Sequence, residues 1–116
     1  MLEVDSYDMD RAEFLVSIIS LEIDLYIKKG KSDLVNDSLN LLLYVREVKW
    51  DPKVIAIVRE CEAKVEMSKK NWEVAFEELK KSYNDLVSIA DNRAEMILIY
   101  ILLTDLLGRI DSNVLD

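Results

Sequence analysis

The chain contains no histidine, one cysteine, one proline and two glycines in 116 residues. Without histidine there is no Ser-His-Asp triad, and no Glu-x-x-His set of the kind that holds two irons in helical bundles. Lone Cys61 has no internal disulfide partner, and one Cys with no His cannot assemble a structural zinc site. Such cysteine usage fits a reducing intracellular setting. Gly30 and Gly108 stand 78 positions apart, so no glycine-rich loop can cradle a phosphate. The same scarcity of Gly and Pro disfavours a sheet built on tight turns and favours helices with short connections. The most apolar run, "MILIYILL" from Met96 to Leu103, falls far short of the roughly twenty residues that span a bilayer. The opening "MLEVDSYDMD" is acidic and lacks an apolar centre, unlike a secretory signal.

What is present suits one modest domain with a core. Hydrophobic residues make up 51% of the chain and charged residues 33%. The net charge is −8, with 23 acids against 15 bases, which repels phosphate backbones and argues against nucleic acid as a partner.

Hydrophobic spacing predicts an all-α chain of five helices, near residues 10–29, 33–48, 52–68, 72–90 and 92–107. In the first, Phe14, Leu15, Ile18, Leu21, Leu25 and Tyr26 form the expected buried stripe, and Gly30 sits where a helix C-terminal glycine belongs. The second carries Leu34, Val35, Leu39, Leu42 and Val45, with Ser32 or Asp33 as its cap. Asp51-Pro52 marks the start of the third, which uses Val54, Ile57, Val58, Cys61 and Val65. Asn71 is the expected cap of the fourth, whose stripe is Trp72, Ala75, Phe76, Leu79, Tyr83, Leu86 and Ala90. The fifth begins after Asp91 and ends before Gly108. Alternate helices start about forty residues apart, the rhythm of a solenoid of helix pairs.

The stretch "KKNWEVAFEELKKSY", from Lys69 to Tyr83, carries the packing signal. A large ring, Trp72, precedes a small residue, Ala75, by about one turn, then Leu79 and Tyr83 follow. A small residue lets two helix backbones approach, and Ala63 offers a matching position on the preceding helix. The expected repeat-packing set is therefore Cys61, Ala63, Trp72, Ala75, Leu79 and Tyr83, in a pattern resembling the tetratricopeptide repeat. Cys61 reads as a small core residue and not as a reactive thiol.

Charge offers less. Glu62 and Glu66 share a helix face, yet without a His partner they read as a solvated edge and not as a metal site. Glu77 with Lys81 is an i,i+4 pair. Arg46, Lys49, Lys53 and Arg59 form a loose basic cluster around the second turn, a candidate patch for an acidic partner; ordinary surface charge is the bland alternative.

The last helix is apolar in every direction from Met96 to Leu103, and such a helix must be covered all round. The thirteen residues after Leu103 are too few and too polar to do it. Either the helix packs against another chain, or the sequence is a piece of a longer solenoid. Ile97, Leu98, Ile101 and Leu102 are the candidate contacts for self-association or for the next repeat.

The residues from Ala56 to Gly108 resemble the helical-repeat region of PCI-family scaffold subunits, those of the COP-nine signalosome and, more weakly, of the proteasome lid. "IVREC" from Ile57 to Cys61, then Lys64 and Met67, fit the opening of one repeat. Trp72, Glu73 and Ala75 fit the aromatic-acid-small start of its partner helix, Arg93 fits the basic residue before the next, and "LIYILLTDLL" from Leu98 to Leu107 fits its apolar helix. The family's paired glycines after the Cys are Glu62 and Ala63 here, and its aromatic run is reduced to Leu79 and Tyr83. The resemblance implies a right-handed superhelix of tetratricopeptide-like antiparallel pairs. It also implies a non-catalytic scaffold without cofactor, in the cytoplasm and nucleus. The implied partners are other PCI-complex subunits and a cullin, held for removal of Nedd8 by a different subunit. The family's PCI winged-helix module is missing, which makes the chain an expected fragment of a longer protein. Two other readings stand beside this one. A peptide-binding adaptor would use a groove reached by Glu62, Glu66 and Tyr100. An enzyme has no residue set to support it.

Overall fold

A computed structural model describes the backbone of residues 2–115 and the side chains of residues 11–112. It is all-helical, with α1 (Leu2–Lys28), α2 (Ser32–Val48), α3 (Pro52–Ser68), α4 (Trp72–Ser88) and α5 (Arg93–Leu115). Among the described residues there is no strand, and no helix is long and apolar enough to cross a membrane. α2, α3 and α4 begin at residues 32, 52 and 72, one helix and one turn every 20 residues. The two outer helices run longer than their apolar spacing suggests, α1 from Leu2 and α5 through Gly108 to Leu115.

Three of the turns close in the same way. Lys31 N–H donates to Tyr26 O at 3.0 Å and Gly30 N–H to Ile27 O at 3.1 Å, the paired bonds that satisfy orphan carbonyls at a helix C-terminus. Asn71 to Glu66 with Lys70 to Met67, and Asp91 to Leu86 with Ala90 to Val87, repeat the pattern after α3 and α4. The pivot must be left-handed. Gly30 takes φ +69° without cost, but Lys70 (φ 63°) and Ala90 (φ 53°) carry a Cβ there. Ala90 is thus an exposed turn residue and not part of the α4 core stripe.

The expected side-chain caps do not form on α2, α3 and α4. Lys31, not Ser32 or Asp33, is the N-cap of α2. Asp51 occupies the α3 N-cap with Pro52 behind it, but only its carbonyl bonds forward, to Ile55 N–H at 2.9 Å. Asn71 turns back and donates its amide to Glu66 Oε2 at 2.7 Å. Before α4 the backbone is already set by the preceding turn, so the Asn71 side chain is free to serve another partner.

Packing runs between neighbours. α1 and α2 pack on α3, α3 on α4, and α4 on α5, in a body of 59 × 32 × 18 Å. There is no single centre. One core joins α1, α2 and α3 through Val16, Ile19, Ile23, Leu42, Ile57, Val58 and Cys61. The other joins α3, α4 and α5 through Ala56, Ala63, Ala75, Leu79, Leu86 and Ile97. α3 belongs to both and is buried on nearly every side. Ser82 Oγ donates to the Ala56 carbonyl at 2.8 Å, which requires α4 to lie close against α3 where both present small side chains.

The helix apolar all round is therefore not the one buried all round. α5 buries Ala94, Ile97 and Thr104 and leaves Leu98, Ile99, Leu102 and Leu103 exposed. α1 also turns the unexpected way. Its buried face is Ala12, Val16, Ile19, Ser20 and Ile23, while Phe14, Leu15, Ile18, Leu21 and Leu25 face outward. Both faces of α1 have apolar spacing, and the face with the smaller residues packs against α2 and α3. On α4, Lys80 pairs with Glu77 and Lys81 with Glu78 at i,i+3, in place of the expected i,i+4 pair.

Gly108 does not stop α5. A Cβ built there would lie 3.2 Å from Trp72 Cβ, so the glycine makes a seat for the tryptophan, whose Nε1–H donates to Asp111 Oδ2.

Relief of left-handed strain should be measurable. Ala90→Gly and Lys70→Gly are each expected to stabilise the chain by about 1 kcal/mol, and Gly30→Ala to destabilise it by about the same, in urea unfolding. Gly108→Leu should destabilise by about 1–3 kcal/mol through overpacking against Trp72. A neutral Gly108→Leu variant would contradict the seat.

Candidate functional site

The residues that organise the surface start on one edge of α3. Lys53, Glu60 and Lys64 lie at i, i+7 and i+11, which places them on one side of the helix. Lys53 Nζ meets Asp91 Oδ2 at 3.2 Å. Arg93 Nη2 donates to Glu60 Oε2 at 2.5 Å, and the Glu60 side chain is 1% exposed. Lys64 Nζ reaches Asp24 at 3.2 Å and lies 5.4 Å from the centre of the Tyr100 ring. This seam ties α3 to α1 on one side and to α5 on the other.

The titrations follow the packing. Burial pulls the Lys64 ammonium downward, but Glu60, Asp24 and Tyr100 together outweigh it and the net shift is upward. Asp91 accepts the Arg93 backbone N–H at 2.8 Å and caps α5; that bond, with Lys53 beside it, holds its carboxyl below the usual value against partial burial. Burial pushes Glu62 up, opposed by Arg46. Burial likewise pushes the Cys61 thiol to about 11, so it is a protonated core group.

The basic cluster is divided among neighbours. Arg46 pairs with Glu62 at 2.9 Å, Arg59 with Asp85 at 3.3 Å and Lys53 with Asp91. These are ties from α2 to α3, from α3 to α4, and from α3 to the turn before α5; Lys49 lies half-buried at the end of α2. The expected repeat-packing residues divide as well. Cys61 joins the α1–α2–α3 core, Ala63, Ala75 and Leu79 join the other with Tyr83 at its edge, and Trp72 sits against Gly108 of α5.

A cleft of about 480 Å³ opens beside the seam, lined by Asp24, Ile27, Lys64, Met67, Trp72 and Tyr100 among others. Of the three groove candidates only Tyr100 lines it. Glu62 is held by Arg46 and Glu66 by Asn71. Among the described residues no group of three His, Cys, Asp or Glu side chains could hold a metal ion. The residues missed from sequence are Glu60, Arg93 as its partner, and Asp24. One signal was present: Glu60 follows Ala56 and Ile57 and precedes Ala63 at helical spacing, inside an apolar arc.

The larger surfaces are the two ends of the stack. At one end α1 exposes Phe14, Ile18, Leu21 and Leu25, beside Leu34, Leu41, Tyr44 and Val48 of α2. At the other, α5 exposes Ile99 (65%), Leu102 (64%), Leu103, Leu106 and Ile110. Of the four candidate contacts on α5, Leu98 and Leu102 are exposed and Ile101 is half-buried. Ile97 is fully buried in the α3–α4–α5 core, because it points at α4, and offers nothing to a partner.

No family model and no solved structure matches the chain. Curated relatives do. The chain resembles COP9 signalosome complex subunit 2 of Emericella nidulans, at 29% identity over 96% of this chain and 22% of the relative. It resembles the subunit of the same name from Neurospora crassa at 28% identity over 94% of this chain and 22% of the relative. The Dictyostelium discoideum subunit is similar at 26% identity over 99% of this chain and 26% of the relative. The chain thus spans about a quarter of the length of these relatives.

The buried pair supports a double-mutant test. Arg93→Met alone is expected to cost about 3–5 kcal/mol, because Glu60 is then buried without a partner. Glu60→Met with Arg93→Met should recover most of that loss; equal losses in both variants would show that the pair itself is the stabilising element. Asp91 sets an acid limb. Its folded-state value lies below the unfolded one, so its stabilisation is complete above the unfolded value of 3.8 and is lost as pH falls through the lower, folded value. Asp91→Asn should flatten that limb in unfolding curves collected below about pH 4.

Proposed function

We propose that the chain is a non-catalytic scaffold segment of a subunit like COP9 signalosome subunit 2. In this reading its helix pairs form part of a right-handed superhelix that supports assembly of a PCI complex. The segment helps to hold a cullin-RING ubiquitin ligase while another subunit removes Nedd8, in the cytoplasm and nucleus. The observation that carries the reading is the resemblance, which runs along almost the whole chain in relatives from several organisms. The architecture supports it: two cores shared by one helix make an extended body, and the ends of that body are apolar. Charged groups such as Arg46 with Glu62, Arg59 with Asp85 and Arg93 with Glu60 join helix to helix, as a scaffold requires.

One observation favours a second reading. The cleft with Lys64, Met67, Trp72 and Tyr100 combines a cation, a thioether and two rings, the chemistry of a peptide-binding adaptor.

The test is direct binding. The purified chain is immobilised and challenged with a cullin-RING ligase and with a signalosome assembled without its subunit 2. Binding to either, with no release of Nedd8 by the chain itself, is the expected result. A folded chain that binds neither would overturn the scaffold reading, and peptide-array hits lost in Tyr100→Ala would favour the adaptor.

A further inference from the structure

The exposed apolar side chains are not scattered. Among the described residues α3 exposes no large apolar side chain and α4 only Val74 and Val87, whereas α1 exposes five and α5 seven. α3 and α4, in the middle of the stack, are clean; the end helices α1 and α5 are not, nor is α2 beside α1, which exposes Leu34, Leu41, Tyr44 and Val48. A water-facing surface gains nothing from such stripes, so each reads as one side of an interface.

We propose that the two ends fit each other: the α5 face of one copy of this chain docks on the α1/α2 face of a second copy, head to tail. The stripes match in length. Phe14, Ile18, Leu21 and Leu25 span twelve residues of α1, and Ile99, Leu103, Leu106 and Ile110 span twelve of α5, about 16 Å of helix axis each. They match in area. From the exposures, the α1/α2 end offers on the order of 800 Å² of apolar surface and the α5 end roughly 600 Å², near what one side of a stable interface buries. They match in charge when the helices run antiparallel. The start of α5 then brings exposed Glu95 to the end of the second copy's α1, where Lys28 and Lys29 are exposed. A two-fold pairing of α5 with α5 would leave the α1/α2 end bare; head-to-tail docking covers both ends at every junction and is open-ended. This assembly does not rest on the scaffold reading.

The test is sedimentation velocity of the 116-residue chain over a concentration series. The wild-type mass is expected to rise past a dimer without a fixed limit. Leu102→Glu with Leu106→Glu removes one face, and Phe14→Glu with Leu21→Glu removes the other. Both variants should be monomers with wild-type helical content, since every substituted residue is exposed. An equal mixture of the two should form a dimer and nothing larger, because one intact face of each kind remains. A surface-charge series keeps the result readable if an apolar variant misfolds. Lys28→Glu with Lys29→Glu should weaken association several-fold, and adding Glu95→Lys to the same chain should restore it. A wild-type chain that stays monomeric at high concentration would overturn the proposal. So would a dimer of fixed size that survives loss of the α1 face.

Discussion

Glu60 has no water to turn to, and that constraint anchors the first turn of the fifth helix, which then packs along α4. A carboxylate inside a helical stack must find a cation or give up its charge, since leaving it unpaired costs several kcal/mol. The cation is Arg93, at the first turn of α5. Holding that residue against α3 aligns the start of α5. The same turn is fixed again by Asp91, which caps the helix and meets Lys53. With its first turn anchored twice, α5 presents Ile97 and Thr104 to the core, and the opposite side of the helix must face outward. The exposed stripe on α5 is thus the side turned away from α4, with its first turn pinned by a buried charge. Buried ion pairs often add little net stability over an apolar replacement of both partners. The effect of this one is on register, because an apolar contact tolerates sliding and a hydrogen-bonded pair does not.

The stack has two cores and one shared helix, so its stability is a sum over neighbours. α3 is the helix that both cores share, and it carries the consequences in its sequence. It offers large side chains to α1 and α2, and alanines at residues 56 and 63 to α4. Its charged residues lie along the lines where three bodies meet. Arg59 and Glu62 reach α4 and α2, while Lys53, Glu60 and Lys64 reach α5 and α1. An end helix has no such specification. α1 and α5 are apolar on both sides, and among the described residues their second side is uncovered.

That difference explains what was legible in the sequence and what was not. The three middle helices, the turns between them and the C-terminal role of Gly30 are local features, and each could be read from spacing and residue type. The α3 core residues were legible because only one of its faces offered large apolar side chains. α1 was read backwards for a physical reason. It has two apolar faces, hydrophobicity favours the bulkier one, and the protein buries the smaller one against α2 and α3, a choice that spacing along the chain does not encode. Gly108 was read as a stop, since nothing local reveals that Trp72, thirty-six positions earlier, needs its missing side chain. The caps failed similarly: Asn71 has cap chemistry, but Glu66 was within reach. The basic cluster from Arg46 to Arg59 was a cluster only along the chain. Folding distributed it among carboxylates on separate helices, and sequence distance carries no information about that.

The distribution of charge in turn bears on how a body with apolar ends stays in solution. Arg46, Lys53, Arg59, Lys64 and Arg93 are all engaged in ion pairs between helices or turns, each beside a carboxylate that they neutralise. These pairs cancel locally, so the net charge of −8 is carried by acids elsewhere on the surface. Such a charge repels copies that meet side to side, and salt screens it only over about 8–10 Å. Approach end to end brings together the surfaces where apolar area is concentrated, and there the lysines that follow α1 supply positive charge. In the proposed head-to-tail assembly, repulsion along the flanks favours docking at the ends. A chain with its cations spread evenly over the flanks would lose that selection and would associate wherever its surfaces touched.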